Sequence, residues 1–176
     1  MVEAGPSGVN GISSILLSAY NFDEDFEFWS EKVFPMLEAG TVAIGAETQI
    51  GVVCFHPKYA TPNGKGWPGF GQMHSVIRLR SWINEQDKFL SDSLSDDEVA
   101  AGGAWQRRTP HAVVNVLWAD QLAVAEGRRR TGSLYTRNIK VLVGEGGIGL
   151  GQLARDLDLE RSMPSIDITS RAEKGD

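Results

Sequence analysis

A chain of 176 residues that carries one cysteine, three histidines and three tyrosines is poor in the side chains that do most covalent and proton-transfer chemistry. The lone thiol, Cys54, excludes an intramolecular disulfide and a cysteine-based zinc site built from this chain alone. Basic charge is also short. With 17 Lys and Arg against 23 Asp and Glu, the net charge is -6 and the pI about 5.1. That balance argues against non-specific nucleic-acid binding, which needs a basic surface facing the phosphates. No apolar run approaches the roughly 20 residues that span a bilayer, so no membrane partner is expected. Residues 1–11 have neither the charged and apolar regions of a signal peptide nor the Arg/Ser character of a transit peptide. The expected compartment is the cytoplasm or an organelle stroma or matrix.

What is present is enough apolar material, 41% of residues, for one domain with a core. Gly5, Pro6, Gly8 and Gly11 mark residues 1–11 as a disordered lead. Ile15, Leu16 and Leu17 predict a strand within residues 12–20. The period then changes, because Phe22, Phe26, Trp29, Val33 and Leu37 form one helical stripe. Asn21 or Asp23 can cap that helix, and Pro35 is expected to kink or shorten its last turn. Residues 49–55 are β-prone, and Pro57, which cannot donate to a ladder, predicts that the strand stops near His56. Strand, helix and strand make a βαβ unit with parallel strands and a right-handed crossover.

Residues 60–106 read as a long insertion. It holds a Gly/Pro-rich loop with Trp67 and Phe70, a helix from His74 to Asp87, and a polar, small-residue stretch over 91–104 that predicts a disordered linker. Thr109 as cap and Pro110 at the first position predict a helix from Thr109 to Glu126. A shorter helix is expected over 133–143, and residues 144–176 read as a flexible Gly-rich and charged tail. The expected fold class is therefore α+β over residues 12–143. It has two layers, a small sheet with a βαβ unit and helices packed on one face, as a remnant of a ferredoxin-like arrangement.

Candidate chemistry gathers at two places. His56 and Tyr59 follow the strand end, where an imidazole titrating near neutrality could act as acid or base and the phenol as donor. Cys54 faces the same side as His56 but is flanked by Val53 and Phe55, which favours inert burial. Arg107-Arg108-Thr109-Pro110-His111 is the second place, two guanidinium forks ahead of an expected helix N-terminus and hence a site for a carboxylate or phosphate. The run Arg128-Arg129-Arg130 offers the same chemistry on a loop. Histidines spaced 18 and 37 residues apart match no local ligand pattern, so neither a metal nor any other cofactor is expected. The glycines of Gly144-Glu145-Gly146-Gly147-Ile148-Gly149 lack the lysine and hydroxyl of a phosphate loop.

Phe55-His56-Pro57-Lys58-Tyr59, Arg108-Thr109-Pro110, Arg137-Asn138-Ile139 and the acidic-aromatic Asp25-Phe26-Glu27-Phe28 together resemble an uncharacterised bacterial and plant family, catalogued as domain of unknown function fourteen-fifteen. The resemblance runs from about Ile12 to Val143. It implies a small α+β fold and supports His56 as a site residue. His111 stands where the family tends to have tyrosine, Asn115 stands where it has histidine, and His74 is an alternative match to that histidine. Family members begin with a half carrying a Leu-Cys-Pro-Phe-Ala segment, so the resemblance also implies a truncated fragment. It supplies no reaction.

Two functional readings stay open. One is a small enzyme or ligand-binding protein for an anionic metabolite, with His56 and Tyr59 as catalytic groups and Arg107, Arg108, His111, Asn115 and Arg137 as ligand-binding groups. It expects His56 and the Arg107-Arg108 pair to lie close together around a concavity. The other is a non-catalytic interaction domain that meets a protein partner through the Trp67/Phe70 loop, with the stripe of Trp29 and Phe26 also expected to be exposed.

Overall fold

A computed structural model of the chain describes residues 14–62, 74–119 and 130–163. The lead at 1–11, the loop with Trp67 and Phe70, Arg128 and Arg129, and the last residues of the tail lie outside them. The fold is α+β. Three strands, β1 (Ser14–Ser18), β2 (Ile50–Phe55) and β3 (Val113–Trp118), form an antiparallel sheet in the order β1-β3-β2. β1 and β2 run in the same direction, as the βαβ reading requires, but they are not neighbours. β3 lies between them, antiparallel to both.

That central strand is the largest departure from the sequence reading, which had placed a helix from Thr109 to Glu126. Residues 113–118 carry three valines, and alternation decides their state. Val114 and Trp118 are buried on one face, with Val116 packed against the same core, while Val113, Asn115 and Leu117 point to the other face. Thr109 does not cap a helix. Its hydroxyl donates to the His111 carbonyl at 2.6 Å.

Helix α1 (residues 26–43) covers the face of the sheet that carries Val52 and Val114, with Trp29 and Phe34 as its buried contacts. Its cap is Asp25, whose carboxylate accepts the Phe28 N–H at 2.9 Å, rather than Asn21 or Asp23. Pro35 neither ends nor shortens it. A π-turn over Trp29–Val33, in which the Phe34 N–H reaches the Trp29 carbonyl, lies directly before the proline. There the ladder absorbs the missing donor. The extra residue also rotates the stripe. Phe34 takes the core position, Leu37 is left exposed, and Glu38 turns toward the sheet, where burial pushes its carboxyl pKa up.

The second layer of packing is helical. α2 (Val76–Gln86), α3 (Lys88–Ser93), α4 (Asp96–Trp105) and α5 (Arg130–Val143) enclose Leu79, Ile83, Leu90, Leu94, Val99, Tyr135 and Ile139. The stretch 91–104, expected as a linker, is thus mostly α4. A reciprocal cap starts it, with the Glu98 N–H donating to Ser95 Oγ at 3.2 Å and the Ser95 N–H donating to Glu98 Oε2 at 2.8 Å. Its glycines serve close approach. A Cβ on Gly103 would lie 2.4 Å from Leu79 Cδ1, and one on Gly102 would lie 3.2 Å from Ile139 Cγ2. The tail also contains a helix, α6 (Leu150–Ser162), which buries none of its residues and reaches Glu24 through Arg161. Among the described residues no helix is long and apolar enough to cross a membrane.

Candidate functional site

His56 leaves β2 fully buried, and both of its ring nitrogens are engaged by backbone. Nε2 lies 2.8 Å from the Phe22 carbonyl and so carries the proton, and Nδ1 accepts the Lys58 N–H at 3.0 Å. Phe26 and Trp29 pack on the ring, and burial lowers its pKa. This neutral imidazole ties the loop after β1 to the end of β2 and presents no nitrogen to a ligand. Tyr59 is buried beside it against Phe26, with its phenol pKa pushed up by burial. Cys54 is likewise pushed up, chiefly by burial, as expected of an inert thiol.

The arginine pair does lie next to His56. The His56 N–H donates to the Arg107 carbonyl at 3.0 Å, and Arg108 Nε donates to the Tyr59 carbonyl at 3.2 Å. Arg108 is held there, its guanidinium 4.7 Å from the Trp105 ring centre. Arg107 turns away from His56 toward the helical half. Its guanidinium lies 5.6 Å from the Phe55 ring centre, and Nη2 donates to the Tyr135 hydroxyl at 3.1 Å.

Tyr135 opens a cluster that no single segment announces. His74, just ahead of the Ser75 cap of α2, stands edge-on to Trp82 and to Tyr135, at 4.6 and 4.8 Å between ring centres. Arg78, one turn before Trp82, lies 5.0 Å from the Trp82 ring centre. Burial, reinforced by Arg107 and Arg78, holds the His74 pKa down to about 4. The charged groups that act on His74 among the described residues are thus both cations.

The remaining candidates lie elsewhere. His111 Nδ1 lies 2.7 Å from Asp23 Oδ2, and Asp23, itself buried, also accepts the Ala112 N–H at 2.6 Å. That clasp fastens the loop after β1 to the start of β3, with Tyr20 edge-on to the imidazole. Asn115 sits in the middle of β3 with Oδ1 buried and unpartnered among the described residues. Arg137 is exposed on α5, two residues past Tyr135 and so on another side of the helix. Among the described residues no three His, Cys, Asp or Glu side chains gather as metal ligands.

Sequence reasoning missed Arg78, Trp82, Tyr135 and Asp23. The Arg78/Trp82 spacing of one helical turn was the only local signal; the others meet only through tertiary structure. Comparison with protein-family models, with curated proteins and with solved structures returned no match.

Proposed function

We propose that this domain binds a small molecule bearing a phosphate or carboxylate group at the cluster of His74, Arg78, Arg107 and Tyr135. The observation that carries the reading is an imidazole edge-on to Trp82 and Tyr135, with the Arg78 guanidinium against Trp82 and the Arg107 guanidinium on the Tyr135 hydroxyl. Such a site favours an incoming negative charge, which guanidinium groups meet with charge-assisted hydrogen bonds. The anion would offset the two cations, and His74 would then take up a proton more readily. The bound group would thereby gain a proton-exchanging neighbour. The setting is the cytoplasm or an organelle stroma or matrix, where phosphorylated and carboxylated metabolites abound.

The test is a pH titration of the His74 ring by NMR, without ligand and with inorganic phosphate or succinate at millimolar concentration. The expected result is a midpoint raised from about 4 by one of these anions. Arg78→Gln and Arg107→Gln should each weaken that anion by at least about tenfold, or about 1.4 kcal/mol. An unmoved His74 midpoint with both anions overturns the reading.

A further inference from the structure

The two edges of the sheet differ in how their outward backbone groups are met. On β2, the Ile50 N–H donates to the Ala46 carbonyl at 2.9 Å and the His56 N–H to the Arg107 carbonyl at 3.0 Å. Both ends of that edge are therefore covered by the chain's own backbone. On β1 all five residues are exposed, with Leu16 66% and Leu17 52% accessible. Two usual guards against edge pairing, charge and proline, are missing from Ser14-Ile15-Leu16-Leu17-Ser18.

The register fixes which groups this edge offers. The Ala19 N–H donates to the Ala112 carbonyl at 2.8 Å, continuing the ladder in which Ser18 faces Val113. Alternation then turns Ile15 and Leu17 toward β3 for hydrogen bonding, and turns the N–H and C=O of Ser14, Leu16 and Ser18 outward. The same strand is close to a palindrome about Leu16.

We infer that β1 pairs antiparallel with β1 of a second copy of this chain, with Leu16 on the two-fold axis. In that register Leu16 exchanges both of its outward hydrogen bonds with its symmetry mate, and Ser14 does the same with Ser18. Ile15 stands opposite Leu17, so apolar residues meet apolar residues and serines meet serines. An isologous interface requires this self-complementarity, and the lack of charge removes any like-charge penalty. The two sheets become one of six strands.

The experiment is sedimentation of the full chain over a range of concentrations, with amide exchange read at Ser14, Leu16 and Ser18. The expected species has twice the 19.2 kDa chain mass, with the Leu16 amide protected in proportion to dimer. Leu16→Pro removes only an outward donor, leaving the ladder to β3 intact, and Leu16→Lys adds an edge charge. Each should raise the dimer dissociation constant by at least about tenfold. A monomer at every concentration overturns the inference, whether the Leu16 amide exchanges fast or is protected by another segment of the chain. A dimer whose Leu16 amide exchanges fast also overturns it, and this readout on the unaltered chain decides even where a variant fails to fold.

Discussion

Around His56 the sheet half of the molecule supplies a backbone carbonyl to one ring nitrogen and a backbone N–H to the other. Around His74 the helical half supplies two aromatic edges and two guanidinium groups. Both imidazoles are neutral, and burial opposes protonation of each. The first also has its proton and its lone pair in use within the fold. The second is neutral because burial and neighbouring positive charge oppose protonation. A histidine of the first kind is part of the scaffold, and one of the second kind is poised to respond to an anion.

The comparison breaks most sharply at His56. His56→Ala strands the Phe22 carbonyl and the Lys58 N–H and opens a cavity under Phe26 and Trp29. It should cost about 3–5 kcal/mol in urea denaturation. His74 is tested by acid. Its pKa of about 4 in the fold lies below the ordinary 6.5, so the unfolded chain takes up the proton first. The contribution of a neutral His74 is complete above pH about 6.5 and is lost as pH falls toward 4, by about 3 kcal/mol in all. His74→Phe should flatten that limb of the stability–pH curve. His56, whose pKa is also lowered, adds to the same limb and survives the His74 change.

Smaller effects sharpen the contrast. Gly103→Ala drives a Cβ against Leu79 and Thr61, and should destabilise by about 1–3 kcal/mol through overpacking of the helical half. Tyr135→Phe removes the acceptor that steadies Arg107 and should cost about 1 kcal/mol by thermal melting. It should also weaken anion binding, whereas Gly103→Ala leaves the four proposed ligand groups in place. Gly40→Ala, in α1 with open space around it, should stabilise by about 0.5–1 kcal/mol.

Local patterns in the sequence account for β1, β2, α1 and α2 because each carries its period within one short window. β3 escaped because Thr109-Pro110 imitates a helix start. The deciding alternation of Val114, Val116 and Trp118 has meaning only with β1 and β2 on either side. α4 escaped because Gly102 and Gly103 resemble linker residues until α2 and α5 are seen packed against them, although Ser95 and Glu98 already spelled a reciprocal cap. The neighbourhood of His56, Tyr59, Arg107 and Arg108 was legible as two strings of residues. Which face each side chain takes was not. Arg107 turns to Tyr135, which lies 28 positions away, and His74 gains its neighbours from α2 and α5.

The π-turn in α1 makes helix length a heritable character. It holds one residue more than a plain α-helical ladder needs, and every position after it is turned by roughly 100° relative to an uninterrupted helix. Deleting a single residue between Trp29 and Val33 would restore the plain ladder and leave Phe34 on the sheet, whereas closing the turn with that residue kept would carry Phe34 off, bring Leu37 in and return Glu38 to water. Relatives of this chain should therefore fall into two length classes at this helix. Those without the extra residue should keep an apolar side chain at the Phe34 position and have no need of one at Leu37. An alignment that slides the one-residue gap past Pro35 would pair core positions with surface ones at every residue between the turn and the gap.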